Sequence, residues 1–387
     1  MMHDTTLHKL LLGLISSDPV FTNNQGIFKT VDWTRLVEIA YQHGVNGLLC
    51  RGLLQQREGG VPVDIAEACD LHMKSCADHN QKLADQLSNI LGVLSSRGIP
   101  VIPFKGPVLA MKAYGDLSLR SFRDLDFLIH HGQIEVVLSL LRELGYHNEH
   151  GLSPRQWQAF KNYAGQDIMF GEGVPVEPHW QFAPSTLALN VDYDSLWQRV
   201  VSYQFNDQIV QSLVPEDELI VLCLHGAKEK WSKLKWVVDV AKFVNVHASL
   251  DWGVVFRRSE SQGVARIVRL ALSISQQLLS LSLPDQVVRW LNKDVVAGEW
   301  AKQIATDFFN PGQEDISIYK LSYFHWKMRE RIRDKVKYLA RTVAQPRVQH
   351  FSSIKIPDSM FVAYYPFKLL HDYMALPVWK LLKGTYK

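Results

Sequence analysis

Apolar residues recur at three- and four-residue spacing over most of the first hundred positions, and the period changes at Ile99. Residues 33–56 and 64–96 carry the helical rhythm, with Leu83, Leu87, Leu91 and Leu94 on one face. Asp32 and Asp64 stand where N-caps are expected, and Gly98 where the long helix should end. Ile99-Pro100-Val101-Ile102-Pro103-Phe104 is a short apolar run with two prolines. Proline has no N–H to give a ladder, so the run predicts an edge strand. A helix-like stretch, 108–114, and a turn at Gly115-Asp116 follow. Residues 122–129 then alternate acidic and apolar side chains before a bulky apolar run, as in a strand whose polar end leads into a core. The spacing predicts a helix over 134–145 and two strands, 166–170 and 174–180, joined by Gly171-Glu172-Gly173. From Pro215 the helical period returns, over 216–246, 263–281, 287–309 and 316–344. Residues 351–387 are aromatic-rich, with scattered prolines and no assigned element.

The pattern is α+β: a small mixed sheet domain, 99–212, between a helical N-terminal region, 1–98, and a helical domain, 213–345, with a tail at 346–387. The 387 residues are 47% apolar and 21% charged, an ordinary globular balance. A net charge of +3 does not advertise nucleic acid as a partner. Cys50, Cys69, Cys76 and Cys223 lack zinc-site spacing and read as reduced core thiols, consistent with a cytoplasmic location. The apolar run 10–15 is too short for a signal peptide or a membrane span, and no other run is long enough to cross a bilayer, leaving a soluble or peripheral protein.

Chemistry concentrates at Asp124-Leu125-Asp126. Residues two apart on a strand share a face, so the two carboxylates lie about 7 Å apart at the backbone. Such a pair repels unless a divalent cation lies between, and hard oxygen donors suit Mg2+ or Mn2+. Arg120 and Arg123 flank it, and guanidinium groups bind phosphate through two parallel hydrogen bonds.

The run from Phe104-Lys105-Gly106-Pro107 through Tyr114-Gly115-Asp116, Leu119-Arg120 and Asp124-Leu125-Asp126-Phe127-Leu128-Ile129 resembles the uncharacterised bacterial nucleotidyltransferases of the polymerase-β superfamily. Similarity extends to Val176-Glu177-Pro178-His179-Trp180 and to the spaced Trp231, Leu234, Trp236 and Asp239, so it covers roughly residues 90–245. The resemblance implies that the sheet domain is a nucleotidyltransferase domain. It also implies a third carboxylate on a neighbouring strand; Glu177 is the candidate and Asp167 the runner-up. His179 shares the Glu177 face, as a substrate-orienting group or simply as hydrogen-bonded structure. Lys105-Gly106 stands where the superfamily has Gly-Ser at a phosphate-receiving helix start, and Arg123 where a small residue is expected. On the helix that follows, His225 and Lys228 share a face suited to the triphosphate, whereas Lys235 reads as a solvated lysine.

The expected activity is transfer of a nucleoside monophosphate from an NTP, with Mg2+ or Mn2+, to a hydroxyl of a small molecule or protein. The two departures keep a catalytically silent binding module as an alternative, and a toxin-like transferase is a third reading. The basic run 327–341 reads foremost as a solvated helix face, with RNA, an anionic membrane surface or an acidic partner as other readings. Tyr364, Tyr365, Phe367, Trp379 and Tyr386 give the tail the look of an interfacial anchor or of packing against the helical domain.

Overall fold

The computed structural model of the protein describes residues 4–16, 27–310 and 318–375. Residues 1–3, the first two residues of the expected 316–344 helix, and Trp379 and Tyr386 lie outside the described residues. The helical regions form largely where periodicity predicts them, but in more pieces. The 33–56 stretch divides into helices Trp33–Gln42 and Asn46–Gln55, because Gly44 takes φ +68° and turns the chain. Asp32 caps the first, accepting the Arg35 amide at 3.0 Å. Asp64 does not cap the next helix, Val63–Ser96. Pro62 holds that position, and Asp64 sits in the first turn, where its charge still suits the helix dipole. At the far end Gly98 adopts φ +69° and the Ile99 amide donates to the Leu94 carbonyl at 3.0 Å, closing the helix.

Three short strands make the main sheet, β1 (Val101–Pro103), β2 (Leu125–Ile129) and β3 (Val176–His179), in that order. β1 runs antiparallel to β2 and β2 parallel to β3, so the sheet is mixed and the α+β class holds. The proline-bearing β1 lies at an edge. The hairpin expected over 166–180 is only half regular. Gln166 bridges His179 and Met169 bridges Val176, but Phe170 turns to exchange hydrogen bonds with His147, which splits the ladder between two partners. A second hairpin, β4 (Val201–Phe205) and β5 (Gln208–Ser212), turns at Asn206-Asp207.

The expected 216–246 helix is two helices, Pro215–Lys228 and Leu234–Val246. Lys230 and Trp231 break it with φ of +52° and +57°. Trp231 is fully buried against Gly226, where a Cβ would come within 2.3 Å of the indole ring, so only glycine admits this fold-back. The 287–309 stretch likewise splits into Asp285–Leu291 and Val295–Asp307, with Asp294 capping the second. The 316–344 stretch splits into Ile318–Met328 and Ile332–Ala344.

Two large clusters make up most of the buried core. Leu10, Leu36 and Leu49 from the N-terminal helices join Leu219, Val237 and Leu270 from the later helices in one cluster. Leu87 and Leu91 of the long helix join Phe127, Val137 and Val176 around the sheet in another. The segment between β1 and β2 feeds both, with Leu109 and Leu119 in the first and Val108 and Phe122 in the second. Lys105, Gly106 and Asp124 are carried on this seam.

Candidate active site

The register of β2 and β3 builds the site. Asp126 lies opposite Glu177 and Leu128 opposite His179. Parallel neighbours project to the same side, so Asp126, Glu177 and His179 share one face of the sheet. Asp124, at the bend just before β2, is near enough for the Asp126 and Glu177 charges to act on it. Ligating atoms of Asp126, Glu177 and His179 lie within 4.8 Å of one another. The tight group is therefore two carboxylates and an imidazole, and Asp124 borders it.

Hydrogen bonds fix the orientation of each member. His179 Nε2 donates to Asp126 Oδ1 at 2.7 Å and stands 3.6 Å from Glu177 Oε2. The Lys105 ammonium reaches the same Asp126 Oδ1 at 2.6 Å. Asp126 Oδ2 is buried without a hydrogen-bond partner. Gln166 Nε2 donates to Glu177 Oε2 at 2.5 Å. Asp126, Lys105 and His179 are nearly inaccessible, whereas the Glu177 side chain keeps 15% exposure and opens the group toward solvent.

The two aspartates ionise very differently. Burial first, and then the Asp126 charge, push the Asp124 carboxyl up to about 6. Glu177 adds to that rise, while Lys105 and Lys235 pull against it. Burial also opposes the charge on Asp126, but Lys105 and His179 outweigh it and hold this carboxyl well below the usual carboxylate range. Strongly perturbed neighbouring acids such as these cluster at functional sites.

Lys105 and Gly106 sit at the start of helix Gly106–Leu109, which continues as a wider turn through Tyr114. Gly106 takes φ +53°, a left-handed conformation that glycine adopts freely, and its backbone lies against the Asp124 carbonyl. Lys105, at the N-cap of this helix, reaches Asp126 with its ammonium.

The other residues read from the sequence are placed differently from one another. Arg120 gives its hydrogen bonds to Asp239, although Asp124 is near enough for its charge to act on the guanidinium. Its Nε and terminal nitrogen donate to Asp239 at 2.8 and 2.9 Å, and Tyr114 adds a hydroxyl bond to the same carboxylate at 2.7 Å. Although burial works against it, Asp239 holds this guanidinium charged. Arg120 is thus committed to tying the loop before Asp124 to helix Leu234–Val246. Arg123 is exposed and contacts the Tyr41 hydroxyl at 3.3 Å. Asp167 is fully buried, with its oxygens taken by Asn148, His150 and the Ile168 amide, each at 2.9 Å. His225 lies within electrostatic reach of Lys105 and Asp126. Burial, followed by the Lys105 and Lys228 charges, lowers its pKa well below the ordinary histidine value. Lys228 stands 3.7 Å from Glu229 at the end of that helix.

Lys235 is the residue that sequence reading passed over. It is half-buried, and its charge acts directly on Asp124. Its i,i+4 relation to Asp239 was legible as a shared helix face, but the Arg120–Asp239 pair that turns this face toward the site spans two distant segments. The spaced Trp231, Leu234, Trp236 and Asp239 now have a common purpose: Trp231 and Leu234 bury the helix start, Trp236 packs edge-on to His225, and Asp239 receives Arg120.

No curated protein and no solved structure gives a significant match to the chain. A family model described as an uncharacterised nucleotidyltransferase matches residues 29–280, about two-thirds of the sequence. The match takes in Lys105, both aspartates, Glu177, His179 and the 231–239 run, and the chain belongs to this nucleotidyltransferase family.

Proposed function

We propose that the protein is a divalent-metal-dependent nucleotidyltransferase that moves a nucleoside monophosphate from an NTP to a hydroxyl of a small molecule or protein. The observation that carries this reading is the buried, unpartnered Asp126 Oδ2 next to Glu177 on one sheet face. An anionic oxygen left without a donor in a buried site costs roughly 1–3 kcal/mol or more, and a cation relieves it. The donor set, mostly carboxylate oxygen, suits Mg2+ or Mn2+. Asp124, Asp126 through Oδ2, and Glu177 would hold the metal. Once bound, it supplies charge neutralisation for the phosphates and acidifies the acceptor hydroxyl.

The remaining residues orient and bind. Lys105 and His179 both donate to Oδ1 of Asp126 and so leave Oδ2 as its ligand atom. Gly106 opens a short helix whose first amides suit phosphate, with the Lys105 charge beside them. Arg123, His225, Lys228 and Lys235 supply polar and cationic groups along the NTP path. Attack on the α-phosphorus forms the acceptor oxygen–phosphorus bond and releases pyrophosphate. Resemblance to the polymerase-β superfamily supports assigning residues 99–212 as the nucleotidyltransferase domain.

A second reading, a catalytically silent binding module, is favoured by one feature. Lys105 already supplies a counter-charge to Asp126, so the fold stands without a metal. Incubation of each α-labelled NTP with Mg2+ and cell extract separates the two, comparing wild type with Asp124→Ala/Asp126→Ala. Transfer by wild type alone supports the enzyme. Equal labelling by both proteins overturns it, and no labelling together with no Mn2+ binding favours the silent module.

A further inference from the structure

Helix Ile332–Ala344 is amphipathic in the reverse sense. Its only acid, Asp334, and its only aromatic residue, Tyr338, face the protein and are 1% and 3% exposed. Asn190 Nδ2 donates to Asp334 at 3.0 Å, the Tyr338 hydroxyl donates to the Ser322 carbonyl at 3.1 Å, and Arg341 donates to the Ser185 carbonyl at 2.7 Å. The aliphatic residues face out. Ile332, Val336, Leu339 and Val343 are 80%, 60%, 48% and 40% exposed. At ~100° per residue these four fall within about 60° of arc, a continuous ridge along the helix. Exposed Arg333 and Lys337 border the ridge on one side and Lys335 on the other.

The surroundings extend this character. Lys335 Nζ lies 4.8 Å from the Trp326 ring centre, and Trp326 stacks at 6.2 Å on Tyr323, itself 52% exposed. Helix Tyr364–Leu370 packs against Ile332–Ala344 and carries a half-exposed Leu370, with Val362 just before it and Met374 just after it also exposed. Exposed apolar side chains in a continuous ridge mark a surface meant to be covered. Here the cover must accept aliphatic chains at its centre, cations at the rim and tryptophan and tyrosine at the border. Acyl chains beneath anionic headgroups offer that order of layers. Among the helix's own residues the ridge is bordered by cations alone, because its one acid, Asp334, is turned inward, where it lies 3.6 Å from Arg333 Nε.

We infer that the outward face of helix 332–344 docks the protein on an anionic lipid bilayer. This goes beyond nucleotidyl transfer and does not depend on it. The test is co-sedimentation of the full-length protein with phosphatidylcholine vesicles, with or without phosphatidylserine. Wild type is expected to sediment with the anionic vesicles, less so as salt is raised, and to stay in solution with phosphatidylcholine alone. Arg333→Gln/Lys337→Gln should weaken binding about thirtyfold, near fivefold for each cation removed. Val336→Glu/Leu339→Glu should abolish it with the circular-dichroism melting curve unchanged, since both sites are exposed. Absence of wild-type binding, equal binding to both vesicle types, or binding unchanged in the Glu variant would overturn the inference. So would self-association that the Glu variant abolishes in the absence of any vesicle binding, which would assign the ridge to a second copy of the chain.

Discussion

Replacing Asp124 with asparagine should stabilise the metal-free protein at neutral pH. The Asp124 carboxyl is raised from 3.8 to about 6, mainly by burial and then by the Asp126 charge. In the unfolded chain this group ionises near its ordinary value, so between pH ~4 and ~6 the unfolded state gives up its proton first. Stability is therefore lost as pH rises through that window and stays lost above it. The difference between the two values corresponds to ~3 kcal/mol at pH 8. The asparagine side chain carries no charge and escapes that penalty. For a chain of this length ~3 kcal/mol moves the melting midpoint by roughly 4 °C. Thermal unfolding in chelator, followed by circular dichroism from pH 4 to pH 8, reads it directly. The Asp124→Asn midpoint should lie roughly 4 °C above wild type at pH 8 and within about 1 °C of it at pH 4. A variant no more stable than wild type at pH 8 would refute the claim that Asp124 is held ionised against burial and the charge of its neighbour.

Three further outcomes follow from the same geometry. Arg120→Met should destabilise the fold by about 3–5 kcal/mol, because it leaves Asp239 buried and unpaired; denaturant unfolding checks this, and an intact fold with only a raised KM for NTP would place Arg120 on phosphate instead. Lys235→Met removes a charge that lowers the Asp124 pKa, so the pH midpoint of Mn2+ binding should move upward, as read by titration calorimetry across pH. Gly106→Ala forces an L-residue to φ +53° and should cost roughly 1–2 kcal/mol in unfolding free energy, with weaker NTP binding as the Lys105 turn shifts.

Much of the fold was legible because it rests on local rules. The long helix from Val63, the proline-marked edge strand and β2 follow from period and turn chemistry alone. Helix breaks were missed where a positive-φ residue such as Gly44, or a buried side chain, interrupts the pattern instead of a proline. Trp231 folding onto Gly226 is a tertiary event that no window of hydropathy registers. The hairpin of β4 and β5 was missed although Val201, Tyr203 and Phe205 alternate up to an Asn-Asp turn, because neither strand is strongly apolar. At the site, residue identity and spacing led to Asp124 and Asp126, and the family resemblance to Glu177. Spacing carried no information on which arginine is free, since the Arg120–Asp239 pair links positions far apart in the chain. Nor could it place Lys105 and His179 on a single oxygen of Asp126, a geometry that needs the strand register.

Divalent-cation binding by the carboxylate face is tested most directly by anomalous diffraction from crystals soaked in Mn2+ with a non-hydrolysable NTP. The expected result is a manganese peak within about 2 Å of Asp126 Oδ2 and a Glu177 oxygen, with Asp124 completing the shell and the triphosphate above it. A map with no peak on this face, and the Lys105 ammonium still seated on Asp126 beside a bound nucleotide, would contradict it.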